Sequence, residues 1–220
     1  MFLQLENFLA AAELESLLQI ARQGKFIDGK RSNPYNVTKD NAIADPNDPL
    51  MRQASQLGLA ALQRSEAVRN FVLPKRVALP TLCRYAVGMK YGVHIDAAFL
   101  PVGPEPLRSD VSCTMFIAAP NSYEGGELLV NLGTHTARIK GPAGSVVFYP
   151  STTLHEVTPV TAGERIVMIT FIESQVPDQL QREILYTLGE VRALEGLKMD
   201  WTNRTQLEYA IANLLRMWSR

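Results

Sequence analysis

The sequence has no net charge and no long apolar run. Its 22 basic residues equal its 22 acidic ones, and no stretch approaches the ~20 consecutive apolar residues of a membrane-spanning helix. Proteins that spread over nucleic acid or over an anionic membrane need an excess of basic residues. We therefore expect neither nucleic acid nor a membrane as a partner.

A secretory leader and a disulfide framework are also not indicated. The opening MFLQLENFLAAAELESLL has no basic residue before its apolar part, and Glu6, Glu13 and Glu15 interrupt it, whereas a signal peptide needs an unbroken apolar stretch of ~7–15 residues. Cys83 and Cys113 lie in apolar, strand-like segments without metal-binding spacing. We expect two buried free thiols and a cytoplasmic protein.

The first part of the chain shows helical periodicity on either side of a polar segment. Leucine and alanine recur at helical spacing over residues 8–23, and Gly24 follows as a stop signal. Residues 28–49 are polar and rich in turn-forming residues, so we predict a long loop there. A second helix is predicted over residues 50–70, with Pro74 just beyond its end.

From residue 77 the periodicity changes to short β-rich runs separated by turns. The runs are VALPTLCRYAV, YGVHID, VSCTMFIAA, ELLVNL, HTARIK, SVVFYP, HEVTPV and RIVMITFIES. Strands at this spacing predict an antiparallel sandwich or barrel, such as a jelly roll. Because the helices precede the strands instead of alternating with them, a parallel α/β sheet is disfavoured. The predicted class is α+β and mainly β.

Residues 177–220 return to helical periodicity. We predict that they extend a domain over residues 1–176, whose β core spans about residues 77–175. Helices are predicted over residues 178–195 and from Thr202 to Trp218. One stripe of the second helix carries Leu207, Ile211, Leu214 and Trp218. This stripe can pack on the sandwich or against another subunit, so a homo-oligomer is one expectation.

The sequence contains only three histidines, so the role of each can be considered separately. His94 and Asp96 in YGVHID are two residues apart, so on a strand their side chains point to the same face. His155 follows the apolar strand SVVFYP. Two histidines and one carboxylate form the facial triad of non-haem iron(II) oxygenases, which leaves coordination positions open. His135 lies in a polar strand beside a glycine turn, and we expect it to face solvent.

Arg165 is the candidate anchor for an acidic cosubstrate. It stands ten residues after His155, behind the Gly163 turn, at the start of RIVMITFI. A guanidinium fork suits a distal carboxylate best. Taken singly, these residues are better explained as core histidines, a strand-end turn aspartate and a surface arginine. Their joint order on predicted strands favours a metal site that binds a 2-oxo acid and dioxygen.

The sequence resembles the bacterial PKHD-type hydroxylases, relatives of the prolyl and lysyl hydroxylases among the iron(II)/2-oxoglutarate dioxygenases. The likeness extends over nearly the whole chain and includes LPKRVALPTLCRYAVGMKYGVHID; its most specific pieces are EGGEL and YPSTTLHEVTPVTAGER. The resemblance implies a double-stranded β-helix (jelly-roll) core with flanking helices. It also implies iron(II) bound by His94, Asp96 and His155, and 2-oxoglutarate bound through Arg165.

The resemblance further implies an activity. It is the oxidative decarboxylation of 2-oxoglutarate to succinate and carbon dioxide by dioxygen, coupled to hydroxylation of an unidentified substrate, with ascorbate as an expected cofactor. Tyr85 precedes the metal strand as tyrosines do in prolyl hydroxylases and is expected beside 2-oxoglutarate, although packing explains it equally well. Ala97 and Ala98 follow Asp96 where the family would place an asparagine. This departure affects the expected substrate contacts and leaves the metal ligands intact.

The substrate class is left open between small molecules, amino-acid side chains and peptides. We predict that substrate contacts come from two loops, residues 28–49 and 97–110, because long irregular segments often carry binding residues. Arg31, Lys39 and Arg108 in these loops suit an anionic or polar partner, although plain solvation explains these charges as well.

Three other functions are compatible with parts of the pattern. A cupin-like module could bind or sense iron and a 2-oxo acid without turnover, but it would not need Arg165 together with open metal positions. A zinc hydrolase uses similar ligands, but it needs a general base, and Glu156 is expected on the opposite face of the strand from His155. A degenerate, purely structural relative is disfavoured by the intact ligand set.

Overall fold

The computed structural model of the chain describes residues 2–220. Its helices are α1 (Ala11–Gln23), α2 (Pro49–Arg64), α3 (Glu66–Val72), α4 (Gln179–Glu195) and α5 (Trp201–Trp218). Its strands are β1 (Leu3–Leu5), β2 (Phe26–Asp28), β3 (Lys39–Asp40), β4 (Ala42–Ala44), β5 (Pro74–Val77), β6 (Thr81–Tyr85), β7 (Lys90–His94), β8 (Phe99–Leu100), β9 (Leu107–Arg108), β10 (Val111–Phe116), β11 (Tyr123–Gly125), β12 (Leu128–Asn131), β13 (Thr136–Ile139), β14 (Val146–Pro150), β15 (His155–Val157), β16 (Val160–Gly163) and β17 (Arg165–Ser174).

Two antiparallel sheets pack on each other. The larger sheet, of eight strands, has the order β1-β14-β10-β17-β6-β4-β2, with β5 paired to β17, and the smaller sheet has the order β13-β12-β15-β7-β3. Alternate side chains of both sheets fill the space between them, including Val147 and Val167 from the larger sheet and Val130 and Val157 from the smaller one. The predicted α+β, mainly β architecture with a jelly-roll core is confirmed.

The outer face of the larger sheet is covered by the N-terminal helices. Ile166 and Met168 of β17 belong to this second core together with Leu17 of α1 and Met51 of α2. The approach is close, because a Cβ on Gly58 of α2 would lie 2.3 Å from Sδ of Met168. The predicted flanking helices therefore support the sheet that carries Tyr85 and Arg165.

The single helix predicted over residues 50–70 is two helices. The Asp48 carboxylate accepts a hydrogen bond of 2.9 Å from the Leu50 N–H and so caps α2, with Pro49 in its first turn. Ser65 then interrupts the helix, and its hydroxyl accepts a bond of 3.3 Å from the Val68 N–H at the start of α3. The helix predicted over residues 8–23 begins at Ala11 and ends before Gly24.

Both predicted loops contain ordered pairing, so the prediction of structureless segments is wrong. In residues 28–49, β3 pairs with β7 and β4 pairs with β6, so this segment contributes a strand to each sheet. In residues 97–110, β8 and β9 form a small hairpin. Residues 28–49, predicted as a loop, are therefore attached through β3 to the strand that carries His94.

The C-terminal helices pack back on the N-terminal ones. Tyr186 of α4 meets Phe71 of α3 edge to face, with ring centroids 5.3 Å apart, and the buried Arg182 donates to the carbonyl oxygens of Val176 and Pro177. The predicted stripe of α5 is half-buried, whereas Leu197, between the two helices, and Trp201, the first residue of α5, are mostly exposed. None of the helices in residues 2–220 has the length and apolarity to cross a membrane.

Candidate metal centre and cosubstrate pocket

His94 and His155 are cross-strand neighbours. His94 ends β7 and lies opposite His155 at the start of β15 in the smaller sheet, with ring centroids 4.2 Å apart. β7 ends at His94, so Asp96 is not on the strand as predicted, yet the alternation continues: Val93 and Ile95 are 62% and 55% exposed. His94 and Asp96 therefore both turn inwards. One ligand atom from each of the three side chains lies within 4.8 Å of the other two.

Backbone carbonyls fix the orientation of both imidazoles. Nδ1 of His94 lies 2.8 Å from the Gly92 oxygen, and Nδ1 of His155 lies 2.9 Å from the Thr153 oxygen. A carbonyl oxygen only accepts hydrogen bonds, so Nδ1 carries the proton in each ring and Nε2 keeps a free lone pair. Burial, with His155 as a further cause, lowers the pKa of His94 to about 4, so this ring is neutral at physiological pH.

Asp96 is held by a serine from the opposite sheet. The Ser112 hydroxyl of β10 donates to Oδ2 of Asp96 at 2.5 Å and lies 2.8 Å from the Ser151 hydroxyl, which accepts a bond of 2.9 Å from Ser109. Burial raises the pKa of Asp96, while His155, Ser112 and Lys39 favour its charged form. The Asp96 carboxylate and the Nε2 atoms of the two imidazoles form a donor set of the kind that binds iron(II) on one face.

Arg165 and Tyr85 line the space between the sheets. They are directly paired across β17 and β6, and the guanidinium carbon lies 4.9 Å from the Tyr85 ring centroid. Arg165 is 1% exposed, and its Nε has no hydrogen-bond partner among the described residues. Burial raises the pKa of Tyr85 well above its usual range. A buried guanidinium with an unsatisfied N–H fits an anionic ligand.

The EGGEL turn packs directly on Arg165. A Cβ on Gly126 would lie 2.9 Å from Cδ of Arg165 and 3.0 Å from Val160, and Gly126 has φ of +61°. Tyr123, just before this turn, has a buried hydroxyl without a partner, and burial raises its pKa while Arg165 opposes the shift. The turn therefore forms a wall of the arginine pocket, a role that its sequence alone did not reveal.

Three further residues lie at the site. Sequence reasoning gave no role to Ser112 or Tyr91, and it predicted that Lys39 lies in a loop. Ser112 and its neighbours carried one signal, namely small polar residues inside the otherwise apolar run VSCTMF. Tyr91 stacks on His94 with centroids 3.6 Å apart and accepts a bond from Asn33 at 3.1 Å. Lys39 was predicted to lie in a loop, where a polar partner or plain solvation explained it equally well, but it lies on β3 and is 6% exposed.

Other predicted residues lie away from the site. His135 is exposed, as expected, and bonds only to the neighbouring Thr134. Arg31 is exposed. Arg108 forms a fork with both carboxylate oxygens of Asp110 at 2.8 and 3.0 Å, so it has a structural partner. Cys83 and Cys113 are buried and free, as predicted.

Comparison with known proteins identifies the family of the chain. Residues 80–173 match the family model of the 2OG-Fe(II) oxygenase superfamily. A PKHD-type hydroxylase from Sphingopyxis alaskensis is 44% identical over 217 residues, 99% of each chain, and one from Rippkaea orientalis is 37% identical over the full length of both chains. A 2OG-Fe(II) oxygenase-family oxidoreductase from Burkholderia pseudomallei superposes with a TM-score of 0.58 over 77% of this chain and 84% of the other, at 16% identity. The chain belongs to the PKHD-type hydroxylases, enzymes of the 2OG-Fe(II) oxygenase superfamily.

Proposed function

We propose that this enzyme hydroxylates a C–H bond of a small molecule, an amino acid or a peptide while converting 2-oxoglutarate to succinate and carbon dioxide. In this proposal His94, Asp96 and His155 bind iron(II), and Arg165 binds the distal carboxylate of 2-oxoglutarate with Tyr85 beside it. The observation that carries the proposal is the combination of a two-histidine, one-carboxylate cluster with a buried arginine whose Nε lacks a partner.

Iron(II), 2-oxoglutarate and dioxygen supply the oxidising chemistry when they are bound, and the protein supplies position and exclusion of water. The carbonyl oxygens of Gly92 and Thr153 keep both Nε2 lone pairs directed into the site. Ser112 orients the Asp96 carboxylate through Oδ2, the oxygen that lies 3.6 Å from Nε2 of His155. Buried apolar side chains surround Tyr85 between the sheets, and charge recognition is stronger in such a low-dielectric interior.

Substrate contacts are proposed for the rim formed by residues 33–38 and 97–106. These residues are mostly exposed and flank the strand that ends at His94. Ala97 and Ala98, directly after Asp96, are exposed and small, and they leave space for a substrate next to the metal position. We further propose that ascorbate serves as a reductant. We also propose a cytoplasmic location, because it suits the two free thiols.

The decisive experiment needs no knowledge of the substrate. Anaerobic apo-protein is titrated with iron(II) and 2-oxoglutarate, and the visible metal-to-ligand charge-transfer band is recorded before air is admitted and succinate is measured. We expect a band and slow succinate release. A band without succinate would favour the non-catalytic cupin-like module, which family membership already disfavours. Failure to bind iron(II) would contradict the proposed ligand set.

A further inference from the structure

Lys39 places a second cation in the space between the sheets. It lies on β3 opposite Tyr91 of β7, and it is 6% exposed. Its ammonium donates to the Ser32 hydroxyl at 2.6 Å and lies 4.9 Å above the centroid of the Tyr91 ring. Because Tyr91 stacks on His94, this cation lies at the metal end of the pocket.

The ammonium of Lys39 has too few partners for a buried charge. Burial is the main cause that lowers its pKa, and Cys83, Asp96 and Asp28 oppose the shift through charge alone, without a direct bond. The Cys83 thiol is neutral at physiological pH, since burial raises its pKa to about 11. An ammonium has three donors, and the Ser32 hydroxyl accepts one. Buried charges are normally paired, so an anion is indicated.

The charges of the two buried cations both act on Cys83, but their other neighbours differ. Arg165 faces Tyr85 and the EGGEL turn, and its charge acts on Tyr85 and Tyr123. Lys39 packs on Tyr91, the aromatic neighbour of His94, and its charge acts on the proposed metal ligands His94 and Asp96. A 2-oxo diacid carries two carboxylates at its two ends and would present one to each cation.

We propose that Lys39 binds the metal-proximal carboxylate of 2-oxoglutarate, while Arg165 binds the distal one. This inference rests on the proposed function. The alternative ligand for the Lys39 ammonium is a carboxylate of the hydroxylated substrate. The position of Lys39 favours the cosubstrate, because the ammonium is enclosed between β3 and the Tyr91 ring and the exposed rim lies outside it.

Two 2-oxo acids separate the roles of the cations. 2-Oxoglutarate has both carboxylates, whereas 2-oxovalerate has the same carbon chain without the distal one. The anaerobic charge-transfer titration measures binding of each acid to wild type, Lys39→Met and Arg165→Ala. We expect Lys39→Met to weaken both acids by the same factor, about tenfold or more. Arg165→Ala is expected to weaken 2-oxoglutarate only.

Lys90→Met is the matched control. Lys90 is an exposed lysine on the adjacent strand, so its loss removes one positive charge near the site without touching the pocket. We expect unchanged affinity for both acids. Lys39→Met should also keep or raise the thermal midpoint, because an apolar side chain replaces a buried charge. If Lys39→Met does not fold, Lys39→Gln carries the same comparison.

Four outcomes would overturn the inference. Weakening of 2-oxoglutarate alone by Lys39→Met would place the ammonium at the distal carboxylate. Unchanged affinity for both acids would assign it to the hydroxylated substrate. A lowered thermal midpoint with lost iron binding would indicate a structural role for Lys39. An absent band in the wild-type protein would remove the proposed function itself, and the role of Lys39 with it; in the first three cases the proposed function survives.

Discussion

Only two of the three histidines face the space between the sheets, and the third provides an internal control. We expect His94→Ala to abolish the charge-transfer band and succinate formation, because two ligands cannot hold iron(II) in the same geometry. His135→Ala removes an exposed imidazole and should leave both unchanged. Full succinate release by His94→Ala would contradict the ligand assignment, as would loss of the band in His135→Ala.

Ser112 offers a finer test at the scale of a single hydroxyl. Ser112→Ala removes the 2.5 Å bond to Asp96, and the carboxylate loses its fixed orientation. Loss of such an outer partner typically costs about 10–100-fold in metal affinity, and iron(II) titration followed at equilibrium measures it. Ser145→Ala is the control, because Ser145 is equally buried but bonds to the Pro142 carbonyl, away from the site. Equal iron affinities in the two variants would contradict the role of Ser112.

The EGGEL turn is the element whose geometry bears most directly on Arg165. Gly126→Ala introduces a Cβ against Cδ of Arg165 in a left-handed backbone, which costs about 1–2 kcal/mol in folding free energy. We expect the displaced guanidinium to weaken 2-oxoglutarate binding, measured by the anaerobic titration. Gly133→Ala has φ of +82° with open space around it, so it carries the backbone cost without the contact. A similar loss of affinity in both variants would contradict the contact.

Long elements were predictable from sequence and short ones were not. RIVMITFIES matches β17 from Arg165 to Ser174, because ten residues carry a clear β pattern. β3 and β8 have two residues each, too few for any periodicity, and they exist only because a neighbouring strand pairs with them. Ser65 interrupts an otherwise helical pattern, and capping by its hydroxyl decided between one helix and two.

The residues of the candidate site also differ in whether the sequence alone predicts them. His94, Asp96, His155 and Arg165 could be proposed from residue type and order, since each needs only its own strand to be identified. The contributions of Ser112, Gly126 and Lys39 depend on contacts between distant elements: Ser112 reaches Asp96 across the two sheets, and Lys39 enters through the pairing of β3 with β7. Such contacts leave little trace in a single sequence.

For the whole molecule, self-association through the C-terminal helices stays a prediction. Leu194, Leu197 and Trp201 lie close in sequence and are 71%, 87% and 77% exposed, and clustered exposed apolar residues are typical of an association surface. We expect the wild-type protein to sediment as a dimer and Leu197→Glu to shift it towards monomer. Val87→Glu, at an exposed apolar site on the β domain, is the control. A monomeric wild-type protein would contradict the prediction.

The pairing of His94 with His155 also links metal loading to strand register. Side chains alternate along a strand, so a slip of β7 by one residue would bring Val93 or Ile95 to the inner face and turn His94 outward. A chain misfolded in this way would have lost a ligand and would gain no stability from iron(II), whereas the correctly paired chain would be stabilised by mass action. Iron(II) binding would thus favour the native register of β7 over the slipped one.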